Sequence, residues 1–191
     1  MFRNDEAKNK VLVYFCCMSK SLHFSLASDD DIPQLERLVN SAYRGDSSKQ
    51  GWTTEADLLD GIRTDEEGLK QMIHQSNAVI LKCSNDNDEL LGCGYLQKQE
   101  LKMYLGMLTV SPLIQAQGIG KELLKAAEEY AKAQDCLFVT MTVITVRKEL
   151  IEWYERRGYH QTPERKPFPN DPRFGIPKQA LEFLVMEKRV I

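Results

Sequence analysis

Gln115-Ala116-Gln117-Gly118-Ile119-Gly120-Lys121 is the stretch whose residue types and order point most directly to chemistry. Glycines at 118 and 120 let the backbone come close to a ligand and take φ angles barred to other residues. The residues that follow, to about Gln134, carry the apolar spacing of an amphipathic helix. The first turn of such a helix offers unpaired N–H groups and the positive end of its dipole. The run before it, Tyr104 to Val110, reads as a strand stopped by Ser111-Pro112. Strand, glycine turn and helix start together make a receptacle for a pyrophosphate, so a phosphorylated cofactor is expected here.

The glycine spacing separates three kinds of cofactor. A dinucleotide fold needs G-x-G-x-x-G after its first strand, whereas this turn lies past the middle of the chain and has two glycines. A nucleotide P-loop needs G-x-x-x-x-G-K-[ST], and Gly118-Ile119-Gly120-Lys121-Glu122 lacks both the spacing and the hydroxyl. The third form is Q/R-x-x-G-x-G/A after a strand ending in V-x-P. Val110-Ser111-Pro112 and Gln115 to Gly120 meet it at every defined position. In this the chain resembles the acyl-CoA-binding motif of the GNAT superfamily of N-acetyltransferases. A second block agrees: Trp153-Tyr154-Glu155-Arg156-Arg157-Gly158-Tyr159 resembles the family's aromatic-Tyr-x-x-x-Gly-aromatic signature. The likeness extends from about Leu22 to Val190, with nearly all of its specificity in these two blocks.

The resemblance implies transfer of an acetyl group from acetyl-CoA, as co-substrate and without a metal, to a primary amine by direct attack. Such a reaction needs a deprotonated amine, N–H donors for the carbonyl oxygen as it gains charge, a proton for the departing thiolate, and two reactants held together. The resemblance implies a break in the strand before the glycine turn that splays two strands apart, and it assigns the thioester and pantetheine arm to the backbone there, at Met107, Leu108, Thr109 and Val110, with Leu108 N–H as oxyanion donor. It assigns the pyrophosphate to Gln115, Ala116, Gln117, Gly118, Ile119, Gly120 and Lys121, and the general acid to Tyr154. A free phenol has a pKa of about 10 and a thiol about 8.5, so the phenol holds a proton at neutral pH that a thiolate can share. Where the family often has Asn, seven residues before that Tyr, this chain has Arg147, which is expected to reach a CoA phosphate or to stand as a solvated charge at a helix start. No general base is evident. Glu55, Glu100 and Glu182 are candidates, and no catalytic partner is visible for His23, His74 or His160.

By the same resemblance the acceptor site forms from the first two helices, their loop and the loop before the last strand. Asp29 to Glu67 holds eleven acidic and four basic residues, net −7, a balance that steers a cationic amine. Within it Arg44, Trp52, Glu55 and Arg63 are the candidate acceptor residues: the arginines to hold a carboxylate through paired donors, Trp52 as a wall. The acceptor is expected to be a small-molecule amine, amino acids and peptide-like amines among them. A protein amine, or a domain that binds acyl-CoA without catalysis, remains open. The resemblance also implies that an exposed last strand can pair two such domains into a homodimer.

Several elements must position these residues. Leu22–Ala27, Ala78–Cys83, Leu90–Lys98, Tyr104–Val110, Leu137–Val143, a run from Tyr159 and Ala180–Arg189 read as strands. Helices are expected from Asp30 or Asp31 with buried Ile32, Leu35, Leu38, Val39 and Ala42, from Thr53 or Thr54 to Leu59, from a Thr64/Glu67 capping box to His74, from the glycine turn to Gln134, and from Arg147 to Arg157. Gly158 is placed to end the last of these as a left-handed cap. Pro163 to Pro177, with five prolines, reads as a long loop, and Pro163 to Lys178 has a charge balance of +2. The fold class is α/β (α+β): one domain over 21–191 with a mixed, mostly antiparallel, twisted sheet of about seven strands and helices on both faces, preceded by an extension over 1–20. The 191 residues suit one domain. A net charge of −3 does not imply nucleic-acid binding, and no apolar run is long enough for a membrane span. Five cysteines without zinc-like spacing point to reduced thiols and a cytoplasmic setting, with a Cys83–Cys93 bridge across the hairpin as the one pairing to test.

Overall fold

Along Ala78–Ser84, Leu90–Gln99 and Lys102–Val110 the buried side chains divide between two cores, as a pleat that sends successive residues to opposite faces requires. In the computed structural model, which describes residues 13–15, 21–44, 48, 54–114, 117–169, 171–172 and 175–191, the strands β1 (Val13–Phe15), β2 (Leu22–Leu26), β4 (Ala78–Ser84), β5 (Leu90–Gln99), β6 (Lys102–Val110), β7 (Phe138–Ile144), β8 (His160–Pro167) and β10 (Glu182–Arg189) form an eight-stranded sheet. Its order is β1-β2-β4-β5-β6-β7-β10-β8. Every neighbouring pair is antiparallel except β6 and β7, which run parallel. Two short strands, β3 (Leu59–Asp60) and β9 (Ile176–Pro177), make a separate ladder. The expected architecture is therefore present: seven strands from Leu22 onward in a mixed sheet, with β1 added at one edge.

Helices α1 (Ile32–Tyr43) and α2 (Glu66–His74) cover one face, where Leu35, Val39, Leu69, Ile80, Cys93 and Met107 share a core. Helices α3 (Ile119–Ala133) and α4 (Lys148–Glu155) belong to the other, with Leu123, Leu124, Val139, Met141, Tyr154, Leu184 and Met186. The five apolar residues expected as the stripe of α1 are all buried. Burying one such side chain contributes roughly 1.5–3 kcal/mol. Propensity differences among ordinary helix residues are at most about 0.7 kcal/mol. Packing on the sheet therefore decides that these helices form.

Some local expectations differ from the structure. Residues 56–58 form a turn that leads into β3, not a helix to Leu59. The N-cap of α2 is Asp65, whose carboxylate accepts from the Gly68 N–H at 2.7 Å, so Thr64 is not the cap. The proline segment is not one loop. Pro163 and Pro167 lie in β8, at the sheet edge. Pro163 falls where the β10–β8 register breaks, a place that asks for no ladder N–H. The last strand, β10, is flanked by β7 and β8, so β8 and not the last strand is the exposed edge. Cys83 and Cys93 are both buried free thiols. Cys83 pairs with Gly92 and Cys93 with Lys82, and the two thiols enter opposite cores.

Candidate active site

The sheet opens where β6 and β7 part. Their parallel pairing covers only Lys102–Tyr104 against Phe138–Thr140. A hydrogen bond between the Tyr104 and Thr142 hydroxyls at 3.0 Å spans the strands just beyond the last pair. Past it the two chains diverge, and Leu105–Leu108 and Met141–Ile144 become facing walls of a cavity of about 210 Å³.

The cause of the opening is a bulge. On β5, Cys93 pairs with Thr109 and Tyr95 with Gly106, so Met107 and Leu108 oppose the single residue Gly94. Met107 takes φ +51°, a left-handed conformation uncommon outside glycine. No glycine marks this position, since the bulged residue is a methionine, but it falls within Met107–Val110, where the resemblance implies a strand break. Side-chain hydroxyls hold both carbonyls next to the bulge. Thr109 Oγ1 donates to Met107 O at 2.9 Å, and Tyr43 Oη donates to Leu108 O at 2.9 Å.

The glycine turn stands at the end of β6. Gly118 caps α3 in the left-handed region, φ +83°, and its carbonyl accepts the first helical bonds, from Lys121 N–H and Glu122 N–H. The N–H groups before them have no partner within the helix. Among the described residues, a Cβ on Gly118 would meet no heavy atom within 4 Å apart from its chain neighbours. Gly120 is different. Its φ is not positive, and a Cβ there would lie 3.5 Å from Val110 Cγ2 and 3.7 Å from Trp153. The conformational need rests on Gly118 alone, and Gly120 serves for space. The turn is thus open, electropositive and adjacent to the cleft, and suits a phosphorylated ligand. Of the residues expected there, Gln117 to Lys121 lie in this turn and the first turn of α3, whereas Gln115 and Ala116 lie outside the described residues.

Tyr154, on α4, lines the cavity at 6 % exposure, edge-on to Trp153 and Tyr159. Burial pushes its phenol well above the ordinary value of 10.0, helped by Tyr43 and Tyr104, while Arg147 and Arg157 pull the other way. Gly158 ends the segment at φ +87°, as expected of a left-handed cap. Arg147, the N-cap of α4, is buried at the cavity wall. Its Nε donates to Glu149 at 2.5 Å and its Nη1 to the Thr54 carbonyl at 3.0 Å. It is therefore not a solvated charge; it ties α4 to the segment before Glu55.

Glu55 and Arg63 also line the cavity. Arg44 stands behind Glu55 at 6 % exposure, and its Nη1 meets Glu55 Oε2 at 2.6 Å. Of the three carboxylates considered as bases, only Glu55 faces this cavity. Glu100 sits exposed in the β5–β6 turn, and Glu182 is exposed at the start of β10. His74 and His23 make surface pairs with Asp29 and Asp86, and none of the histidines lines the cavity. Trp52 lies outside the described residues.

Tyr43, at the start of the segment expected to line the acceptor site, also walls the cavity, and three further aromatic wall residues were not foreseen: Tyr104, Phe168 and Phe183. Phe168 stacks on Phe183 at 5.3 Å. The β3–β9 ladder brings the proline segment over the cavity's acidic side, where Lys178 Nζ donates to Ala56 O at 2.8 Å and pairs with Asp60 at 3.0 Å. The composition of that segment signalled an excursion; its docking is a tertiary event. Among the described residues, no group of three or more His, Cys, Asp or Glu is arranged to hold a metal, and no helix is long and apolar enough to cross a membrane.

Residues 46–170 match the family model described as an acetyltransferase (GNAT) domain. No curated protein matches the chain. Several solved structures share the fold at low sequence identity. The ribosomal-protein-S18-alanine N-acetyltransferase from Escherichia coli has 13 % identity and a TM-score of 0.66, over 88 % of this chain and 94 % of that one. An N-acetyltransferase from Staphylococcus aureus Mu50 has 12 % identity and a TM-score of 0.67, over 88 % and 97 %. A chimera of the spermidine N-acetyltransferase SpeG from Vibrio cholerae with hSSAT has 12 % identity and a TM-score of 0.65, over 88 % and 95 %.

Proposed function

The chain belongs to the GNAT acetyltransferase family, and on that premise we propose that it moves an acetyl group from acetyl-CoA to the primary amine of a small molecule by direct attack. The observation that carries this reading is the cleft between β6 and β7, where a bulged strand, a buried tyrosine and a carboxylate face one cavity. Acetyl-CoA is the co-substrate, with its phosphates at Gln115–Lys121 and its acyl arm along Met107–Val110.

In the proposed reaction the amine forms a C–N bond to the acetyl carbon and the C–S bond breaks. Leu108 N–H donates to the carbonyl oxygen as charge gathers there. Tyr154 gives its proton to the departing sulfur. Its raised pKa is compatible with that role, because a sulfur leaving into the same dry cavity is raised by the same desolvation. Glu55, held by Arg44, receives the ammonium of the acceptor and takes up the amine proton directly or through water. Arg63, whose guanidinium stacks over the Tyr43 ring at 5.5 Å, is placed to hold an acceptor carboxylate. Arg147 organises the wall between Tyr154 and Glu55.

CoA release from acetyl-CoA, followed by mass spectrometry across amines, amino acids and short peptides, tests the reading. Release with one small-amine class is expected. Acetyl-CoA binding with no release for any acceptor would overturn it in favour of a non-catalytic acyl-CoA binder.

A further inference from the structure

The hydroxyl of Tyr43 makes a contact that neither glycine turn nor tyrosine signature accounts for. Tyr43 ends α1, 65 residues before its partner, and its hydroxyl donates to the Leu108 carbonyl at 2.9 Å. Leu108 and Met107 have no partner in the ladder with β5, so the strand does not hold this point by its own pairing. The peptide unit before Leu108 is held by Thr109 Oγ1 on Met107 O, and the unit after it by Tyr43. Two side-chain hydroxyls thus do what a ladder does elsewhere in the sheet. The main chain of Tyr43 works in the other direction. Its carbonyl accepts the Glu55 N–H at 3.0 Å and Arg44 Nη1 at 3.2 Å, so the residue that fixes Leu108 also fixes the Glu55–Arg44 pair. Glu55, Arg63 and Tyr154 all lie close enough to act on the Tyr43 phenol electrostatically. Burial, the largest influence, raises that phenol to about 12, so it stays a donor across the working range.

We propose that Tyr43 is a positioning residue that locks the Leu108 peptide unit and thereby couples the acceptor wall to the acyl-holding strand. This rests on the transferase reading for its catalytic consequence, but the contact itself is independent of it. A left-handed residue such as Met107 is held only when its surroundings over-determine it. Removing one of the two hydroxyls frees the Leu108 unit while the apolar packing of the ring remains.

Tyr43→Phe in the full chain tests this. Hydrogen exchange over residues 105–110 is expected to quicken about tenfold, with α3 unchanged. In turnover, kcat is expected to fall about tenfold, with acetyl-CoA Kd and acceptor KM within about twofold of wild type, the pattern of a group that acts only in the transition state. Unchanged exchange over 105–110 overturns the proposal whatever the activity. So does unchanged kcat in an active enzyme, or parallel losses in binding and melting temperature that report general damage. A wild-type protein that binds acetyl-CoA and acetylates nothing overturns the transferase reading alone, and the exchange result still decides the Tyr43 contact.

Discussion

Replacing Gly118 and Gly120 separately by alanine distinguishes backbone need from ligand room. At Gly118 a Cβ meets no heavy atom within 4 Å among the described residues beyond its chain neighbours, but φ is +83°. The cost to the fold is therefore conformational strain alone, about 1–2 kcal/mol for an L-residue held left-handed. For a chain of this size, each kcal/mol corresponds to roughly 2–4 °C in Tm. Gly118→Ala should thus lower Tm by roughly 2–8 °C. At Gly120, φ is not positive, and the added methyl lies 3.5 Å from Val110 and 3.7 Å from Trp153, ordinary contact distances. In a helical turn, alanine is favoured over glycine by up to about 1 kcal/mol. Gly120→Ala should therefore leave Tm unchanged or slightly raised. Acetyl-CoA affinity should fall about tenfold or more in Gly118→Ala if the phosphates approach this backbone, and stay near wild type in Gly120→Ala, whose methyl faces Val110 and Trp153 at a position where the motif admits alanine. Calorimetric titration with acetyl-CoA beside thermal melts reads both quantities. A Gly118→Ala protein that still folds and binds acetyl-CoA with wild-type Kd would refute the assignment of the turn to the pyrophosphate.

Three further outcomes are expected. Tyr154→Phe should lower turnover roughly tenfold or more while acetyl-CoA still binds, the lower end of what a general acid supplies; and since burial raises the Tyr154 phenol above 10.0, the wild-type kcat profile should show no tyrosine-dependent decline below pH 10. A decline near pH 9 that vanishes in Tyr154→Phe would count against the buried phenol. Arg63→Ala should raise the KM of carboxylate-bearing amines and spare simple amines, whereas Glu55→Gln leaves the buried Arg44 uncompensated and should cost about 3 kcal/mol of stability, the lower end for a broken buried pair because Glu55 also faces the cavity; equal KM values for both acceptor classes would remove Arg63. Finally, Cys83 and Cys93 are raised by burial from 9.0 to about 12. Above pH 9 the unfolded chain loses these protons and the folded chain keeps them, so stability should fall between about pH 9 and 12, by up to roughly 1.4 kcal/mol per pH unit for each thiol. Denaturation midpoints that stay flat from pH 8 to 10.5 would contradict that burial.

Where function depends on short-range backbone chemistry, the amino-acid order was informative. Gly118 had to be glycine for a left-handed cap, Gly158 likewise, and the stripe from Ile32 to Ala42 could bury itself only as a helix. These are constraints between residues a few positions apart, and they specify the elements, the glycine turn and the tyrosine block. Helix ends and the proline segment were less legible. Asp65 and Thr64 are chemically equivalent cap candidates, and Pro163 is compatible with a loop or with an irregular edge strand. What the tertiary structure alone decided is how the site closes. The bulge at Met107 carries no glycine to announce it. As a base, Glu55 was one of three candidate carboxylates, and folding set it apart by bringing it to the cavity that Tyr154 lines. Tyr43 read as the start of a polar loop after the first helix, with no sign of its contact with Leu108, and nothing marked Phe168 and Phe183 as a stacked pair. Their meeting around one cavity depends on contacts such as Tyr43 with Leu108 and Leu59 with Pro177. Such contacts join segments far apart in the chain, and are set by how two helices and a strap dock on a twisted sheet, a property of the packed whole that no local pattern encodes.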